Sequence, residues 1–589
     1  MGWVYLAQDR KLHDRWVVLK GLLDSGDEPA MAAAIAERRF LSQVSHTNIV
    51  EIYNFVEHAD AGYIVMEYVG GSSLREIRLA RRADVGQPLP VSVVLAYGLE
   101  VLTALGFLHS RGLLYCDLKP DNVIHSGDLV KLIDLGGVRR IDDDTGDVFG
   151  TVGYQAPEIS SVGPSVSSDL FTVGRLMAVL AVDFPGYQDE KRYATTLPPD
   201  GEAFARHPSF HHLLLRATDP DPGRRFRSAA DMADQAFGVL RQVVAGEGGQ
   251  VVPAASRRFG AERVPDADHA TWRSLPLPLP DSDDDAAGVL ATLAGATPEQ
   301  VLEALEAVAP TREVRLRQVR AALESDDVTQ ARAHLAAAVD MSRQTPVPDG
   351  YGGDWRVQWW TAAVALATGG TEEAASALHA VSTWLPGELS PHLALGVLAE
   401  TQAGFAERSS ADDEAGRHWQ EAAAHYGLVS RTDPATSGAS FASARALLKL
   451  GDRTGAIAAL DRVPPTAVAF GVAQIRICRA LVAPVAGAPP AARELVRASE
   501  ALAELDARDV SPTTQLALRR EVLAAGLALT LAEPDGVDGI RLGGTPCREQ
   551  DLRLELERTI RLLASHVSGD AERAALVDEA NSWRPWTLT

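Results

Sequence analysis

The sequence has 589 residues, 46% of them hydrophobic and 23% charged, with a formal net charge of −23. That length is too great for one core, so two or three domains are expected, and the acidic balance argues against a nucleic-acid or membrane-surface binder. The three cysteines, Cys116, Cys478 and Cys547, are far apart and lack metal-ligand spacing, which fits a reducing cytoplasm better than a disulfide-bonded secreted setting. No apolar run reaches the roughly 20 residues of a membrane span; the stretch over 522–532 is too short. No basic segment followed by an apolar one opens the chain, so no secretory signal is expected.

Residues 2–8, 16–22, 50–57 and 63–68 carry β-branched and aromatic residues at close spacing and are expected as strands. Between them, Ala, Ile, Phe and Leu recur at helical spacing over 31–44. From Pro90 the pattern becomes helical, over 91–111, 167–182, 210–217 and 228–244. A small β-rich lobe leading into a larger α-rich lobe is therefore expected over 1–244. Residues 245–285 read as a linker: glycines at 246, 248 and 249, then Pro-Leu alternation and an acidic run over 275–285, a composition that favours extended chain. Residues 286–589 are Ala/Leu-rich helix almost throughout. Gly369, Ala374, Leu378 and Pro386 have the spacing of a tetratricopeptide helix–turn–helix unit. Asp326, Ala331, Leu335 and Ala338 repeat most of it, as do Gly451, Ala456, Leu460 and Pro464. A generic all-α domain is the alternative, and in either case stacked helix pairs leave an extended binding surface.

Within 1–244 a set of short motifs stands in one order: VVLK at 17–20, SHTNIV at 45–50, MEYV at 66–69, YCDLKPDN at 115–122, DLG at 134–136, GTVGYQAPE at 150–158 and DPGRR at 221–225. Order and spacing match the signature set of protein kinases. On that match Lys20, projecting from a strand, would hold the α- and β-phosphates of ATP. Its partner would be Glu37 on the next helix, with Glu28 the weaker rival. Gly2 aligns with the last glycine of the phosphate-covering loop. The main chain of Glu67 and Val69 would bond the adenine edge, and Met66 would be the gatekeeper. Val4, Val18, Ile124 and Ile133 would sandwich the base as lining residues, although such residues more often serve as plain core.

Asp117 would accept the substrate hydroxyl proton and orient its oxygen, while Lys119 would neutralise charge on the transferred phosphoryl group. Asn122 and Asp134 offer the hard oxygen ligands that Mg2+ requires. Thr151 would bridge Asp117 and Lys119, a position typical of Ser/Thr rather than Tyr specificity. Glu158 is expected to pair with Arg225, and Asp169 to tie down the catalytic-loop backbone, both as structural elements.

Three departures stand out. The sequence opens in the middle of the glycine-rich loop, with Gly2 matching only its final glycine, and it is expected to be a fragment or to start at a miscalled Met. The His-Arg that usually precedes the catalytic Asp is Tyr115-Cys116, so a phosphate on the activation segment finds no cation there. The segment over 138–149 is acidic, with Asp142, Asp143, Asp144 and Asp147, and Thr145 is its one internal phosphosite. Control from flanking domains is expected in place of loop phosphorylation.

Longer phrases sharpen the match: WVVLKGLLDSG at 16–26, AERRF at 36–40, YIVMEYVGG at 63–71, KLIDLGG at 131–137, ATDPDPGRRF at 217–226, LPGELSP at 385–391, LDRVPPT at 460–466 and the stretch over 576–585. With these, nearly the whole chain resembles the actinobacterial protein kinase G (PknG-type) family. The resemblance implies an α+β bilobal kinase domain over 1–244, a linker over 245–285 and a tetratricopeptide-like domain over 286–589 able to form a homodimer. It implies ATP and Mg2+ as cofactors, a cytoplasmic setting, and a forkhead-associated-domain regulator of 2-oxoglutarate and glutamate metabolism as substrate. The family's rubredoxin-like module, with paired Cys-x-x-Cys motifs, has no counterpart in this sequence. Family members also lack Arg before the catalytic Asp, in line with Cys116. An active kinase is the leading reading; a nucleotide-binding pseudokinase scaffold working through its repeats is the alternative. A small-molecule phosphotransferase fits poorly with the segment over 153–158 and the attached repeats.

Overall fold

Alternating β-branched and apolar residues build four antiparallel strands, β1 (Val4–Asp9), β2 (Arg15–Gly21), β3 (Ile52–His58) and β4 (Ala61–Glu67), in the spatial order β1-β2-β4-β3. The computed structural model describes residues 3–11, 14–21, 44–58, 61–143, 150–189, 195–263, 270–344, 354–484, 489–506 and 510–584. Gly2, Glu28, Glu37, Thr145 and nearly all of the helix expected over 31–44 lie outside the described residues. Register sets Lys20 opposite both Val4 and Ile64, and Val18 opposite Met66. Directly opposed residues share a face, as do residues two apart on one strand. One face of the sheet therefore carries Val4, Val18, Lys20, Ile64 and Met66.

Among the described residues, five helices of ten residues or more frame the large lobe: α1 (Leu74–Val85), α2 (Val91–His109), α3 (Val166–Ala181), α4 (Pro208–Ala217) and α5 (Ala229–Gly246). A capping box between Ser73 and Glu76 starts α1, and Gly86 in the left-handed region ends it. Helix α3 starts on a Ser165–Ser168 box and is buried from Ser168 through Ala181, so the lobe is built around it. Helix α2 is long and apolar enough to cross a membrane, against the expectation that no apolar run in the sequence reaches that length. Its Val94, Leu95, Val101, Leu105 and Leu108 are fully buried in the large-lobe core. A hairpin of β5 (Val123–Ser126) and β6 (Leu129–Leu132) carries the catalytic loop toward the DLG turn.

The repeats are helix hairpins: α6 (Arg312–Glu324) with α7 (Val328–Gln344), α8 (Trp355–Thr368) with α9 (Thr371–Trp384), α10 (Ser390–Arg408) with α11 (Asp412–Thr432), and α12 (Ser437–Lys449) with α13 (Arg453–Leu460). Each turns on a left-handed residue: Asp326 (φ 59°), Gly369 (77°), Ser410 (56°) and Gly451 (77°). The following N–H then bonds the carbonyl five residues back, from Asp327 to Ala322, Gly370 to Ala365, Ala411 to Ala406 and Asp452 to Leu447, at 2.8–3.0 Å. This satisfies carbonyls that the helix end would otherwise orphan. Ala331, Ala374 and Ala456, the small residues picked out by spacing, are fully buried.

Contacts gather the chain into two units, one of residues 1–252 with 280–391 and one of 253–279 with 392–589. These units cut across the sequence-order segments 1–244, 245–285 and 286–589. In the first unit the LPGELSP phrase lies on α5. Gln242 Nε2 donates to the Pro386 carbonyl and the Gly387 N–H to Gln235 Oε1, both at 3.0 Å. Arg216 donates to the Trp384 carbonyl at 2.6 Å, its guanidinium 4.1 Å from the Phe226 ring centre and 4.6 Å from that of Trp384. Asp281 and Asp284 of the acidic run are anchored there too, Asp281 to Arg312 at 3.6 Å and Asp284 to Thr311 at 2.8 Å. In the second unit the Pro-rich stretch stays non-helical apart from the turn Trp272–Ser274, but it is docked. Phe259 and Leu275 are buried, and Glu262 accepts from the Gly438 N–H at 2.9 Å, in the first turn of α12.

Candidate active site

The catalytic loop is held from beneath by α3. Asp169 accepts from the N–H groups of Tyr115 (2.8 Å) and Cys116 (2.9 Å), and its Oδ2 lies 3.0 Å from His109 Nε2. Cys116 takes φ 67°, a left-handed conformation costly for a residue with a side chain, and the Asp169 carboxylate on its N–H helps fix it. The thiol is buried, and burial, reinforced by the Asp169 charge, pushes its pKa up. It is an inert neutral group next to the catalytic position. The turn so formed delivers Asp117.

Asp117, Lys119, Thr151 and Asn122 converge. Thr151 Oγ1 donates to Asp117 Oδ1 at 2.8 Å, Lys119 Nζ lies 3.0 Å from Thr151 Oγ1 and 2.7 Å from Asp117 Oδ2. Asn122 Nδ2 donates to the Asp117 carbonyl at 2.8 Å and to Oδ2 at 3.2 Å. Because its amide nitrogen is committed to Asp117, Asn122 turns its oxygen elsewhere, as a ligand for a hard cation would.

Lys20 and Asp134 also meet, at 2.5 Å, and Asp134 Oδ1 accepts the Gly136 N–H at 2.8 Å. Burial raises the Asp134 pKa, but the Lys20 charge and hydrogen bond outweigh it, helped by Gly136 and Lys119, and hold the carboxyl below its ordinary value. The group stays ionised. Its Oδ2 takes no hydrogen bond from the described residues. A carboxylate oxygen and an amide oxygen from adjoining turns are the donor set that Mg2+ selects, so the residues present fit the ion.

The lining residues separate into two groups. Met66 is buried, Val18 and Val69 are half-buried against the core cluster that runs through the kinase domain, and Ile133 donates its N–H to the Asn122 carbonyl at 3.0 Å. Ile124 is half-buried on β5, whereas Val4 is 60% exposed on the edge strand. The Glu67 N–H bonds the Glu51 carbonyl at 2.9 Å, so it is not a donor for an adenine edge. Gly2 and Glu37 lie outside the described residues. Behind Met66 a small cavity is bounded by Lys20, Val50, Ile64, Ile133 and Leu135.

The end of the activation segment is locked to the large lobe. Arg225, fully buried, forms two parallel bonds with Glu158 at 2.7 and 2.8 Å, the pairing expected from the sequence. Buried Arg175 donates to the Gly153 carbonyl at 2.7 Å and to that of Tyr187 at 3.1 Å. Sequence reasoning missed Arg175, as it missed the Lys131–Glu67 pair at 2.7 Å. The signal for Lys131 was a cation inside a short apolar strand; Arg175 gave the same signal inside an apolar helix.

Residues 1–206 match the protein kinase domain family, and residues 235–587 match the family described as protein kinase G tetratricopeptide repeat. The serine/threonine-protein kinase PknG of Mycolicibacterium smegmatis is 37% identical over 99% of this chain and 77% of its own length. PknG of Mycobacterium leprae gives the same 37%, 99% and 77%. The serine/threonine-protein kinase pkn2 of Myxococcus xanthus is 33% identical over 40% of this chain and 30% of that protein. A kinase domain joined to this repeat, with both alike along nearly the whole chain, places the protein in the PknG-type family of serine/threonine-protein kinases.

Proposed function

We propose that this kinase moves the γ-phosphoryl group of ATP to a Ser or Thr hydroxyl of a cytoplasmic protein, and that Asp117, Lys119 and Thr151 are the residues at the reacting atoms. The triangle of hydrogen bonds joining those three carries the reading. Asp117 orients the acceptor hydroxyl and takes its proton, while Lys119 offsets charge on the moving phosphoryl group. Thr151 holds both in register through an oxygen that donates to one and accepts from the other. Lys20 holds the α- and β-phosphates, Glu37 positions Lys20, and Gly2 belongs to the loop above the phosphates. The base lies between Val4 and Val18 on one side and Ile124 and Ile133 on the other, against Met66, with the Glu67 and Val69 main chain along its edge. Asn122 and Asp134 would hold Mg2+, which when bound neutralises charge on the phosphates.

By resemblance to its family, the substrate is a forkhead-associated-domain regulator of 2-oxoglutarate and glutamate metabolism, and the repeats over 286–589 serve recruitment or pairing of two copies. The pseudokinase scaffold has no comparable support, since the relatives are named as kinases. The test is phosphate transfer from labelled ATP with Mg2+ to a forkhead-associated protein and to a generic basic protein, for the parent and Asp134→Ala. Transfer lost in the variant supports the reading; transfer by neither, or equally by both, overturns it.

A further inference from the structure

Helix α1 carries four arginines, Arg75, Arg78, Arg81 and Arg82, in a chain whose net charge is −23. Two have local partners away from the catalytic loop: Arg81 donates to the Pro88 carbonyl at 2.9 Å, and Arg82 pairs with Asp183. The other two face the catalytic side. Arg75 Nη1 lies 3.3 Å from Asp121 Oδ1, and both side chains are solvent-facing, 60% and 44% exposed. Asp121 sits in the catalytic loop between Lys119 and Asn122. Arg78, one turn further along the same helix face, places its guanidinium 5.7 Å from the centre of the Tyr187 ring. It has no carboxylate partner among the described residues. Tyr187 packs edge-on against Tyr154, ring centres 5.5 Å apart, and is tied through Arg175 to Gly153. The two guanidinium groups therefore flank the loop that bears Asp117 and the segment that closes the acceptor site.

Asp121 would on its own draw a cationic residue toward the acceptor site. Arg75 offsets that charge, and Arg78 leaves a surplus positive charge next to it. An exposed pair such as Arg75–Asp121 is weak, so an incoming carboxylate can share Arg75 at little cost, while an incoming Lys or Arg meets two cations. Specificity then comes from repulsion as much as attraction.

We propose that Arg75 and Arg78 form a subsite for an acidic side chain of the protein substrate, flanking the phosphoacceptor. It rests on the protein-kinase reading above and names the substrate class for that same site. The test uses the full chain with ATP and Mg2+ and three peptides with a single Thr, whose flanking residues are all Ala, all Glu or all Arg. The Glu peptide is expected to exceed the Ala peptide in kcat/KM roughly tenfold, from two exposed charge contacts, with the Arg peptide below both. In Arg75→Ala/Arg78→Ala the Glu-to-Ala ratio falls to about one, and in Arg75→Glu/Arg78→Glu the order of Glu and Arg inverts. Equal use of the three peptides by the parent overturns the subsite and leaves the kinase standing, as does a Glu preference unchanged in both variants. No transfer to any peptide or protein overturns the reading beneath it.

Discussion

Lys131 donates to both carboxylate oxygens of Glu67, at 2.7 and 2.8 Å, in a pair only 20% and 23% exposed. The bond joins the last residue of β4 in the small lobe to β6 in the large one. Lys131 stands opposite Ile124 in the β5–β6 register. The same pair thus sets both edges of the slot in which a purine base would lie: the chain segment at Glu67–Val69 and the floor at Ile124. A charge-assisted pair with little solvent access is stiff enough to fix such a spacing.

Lys131→Met is accordingly expected to raise KM for ATP several-fold with a smaller change in kcat, because the base slot loosens while the groups around Asp117 stay in place. Lys131→Glu should do worse, since two carboxylates then face each other, and Lys131→Glu/Glu67→Lys should recover much of the loss. Steady-state kinetics at varied ATP decides the matter. An unchanged KM in Lys131→Met, or a double variant no better than Lys131→Glu alone, would show that the pair does not set the slot.

Thr151 hydrogen-bonds to Asp117 and Lys119 at once, and a hydroxyl is the simplest group that can both donate and accept. Thr151→Ala takes the donor from Asp117 Oδ1 and leaves the carboxylate held on its Oδ2 side by Lys119 and Asn122, and misplacement of reacting groups is costly. A fall in kcat of roughly 10 to 100 fold is expected, with Thr151→Ser retaining most activity. Single-turnover transfer rates measure it; a Ser variant as slow as Ala would contradict a hydroxyl role.

The joint between α5 and the LPGELSP phrase admits no side chain at two positions. A Cβ on Gly238 would lie 2.2 Å from the Gly387 carbonyl oxygen, and one on Gly387 would lie 2.3 Å from that of Gln235. Gly238→Val must push the phrase off the helix, at a cost of about 1–3 kcal/mol or more, lowering the first unfolding transition by several degrees. Gly246, on the same helix with open space around it, is the control: Gly246→Ala should be neutral or slightly stabilising. Calorimetry on the three proteins tests this, and equal transitions for Gly238→Val and parent would refute the close contact.

What could be read in advance follows from which physical demands name a residue type. Phosphoryl transfer needs a carboxylate, a cation and an amide oxygen in one short loop, so Asp117, Lys119 and Asn122 were visible in the sequence. The hairpin turns at Gly369 and Gly451 were visible because left-handed backbone selects glycine. The turn at Ser410 was not, because a serine occupies the same conformation at some cost and sends no signal. The Pro-rich stretch reads as extended chain whether free or docked, and only Phe259 and Leu275 hinted at a buried face. Gly238 looks like an ordinary weak point in a helix until the opposing backbone is known. The Arg75–Asp121 and Lys131–Glu67 pairs join elements far apart in sequence, so nothing local announces them.

Glu313, on α6, is 5% exposed and lies 3.5 Å from Arg356. Burial lifts its carboxyl from the ordinary 4.5 to about 7, against the pull of Arg356 and Arg312 and with the help of Asp354 and Asp284. With the folded-state value above the unfolded one, folding favours the neutral acid. The stabilisation this gives is complete below about pH 4.5 and is lost as pH rises through about 7. The unfolding free energy measured with urea should therefore fall between pH 5.5 and pH 8 by an amount on the order of 2 kcal/mol from this group. Glu313→Gln keeps the shape and cannot ionise, so it should flatten that part of the slope and be the more stable protein at pH 8. All other titratable groups are common to both proteins, so the difference between parent and variant isolates Glu313. Identical pH slopes for the two would mean that Arg356 neutralises the carboxylate fully and that burial does not win.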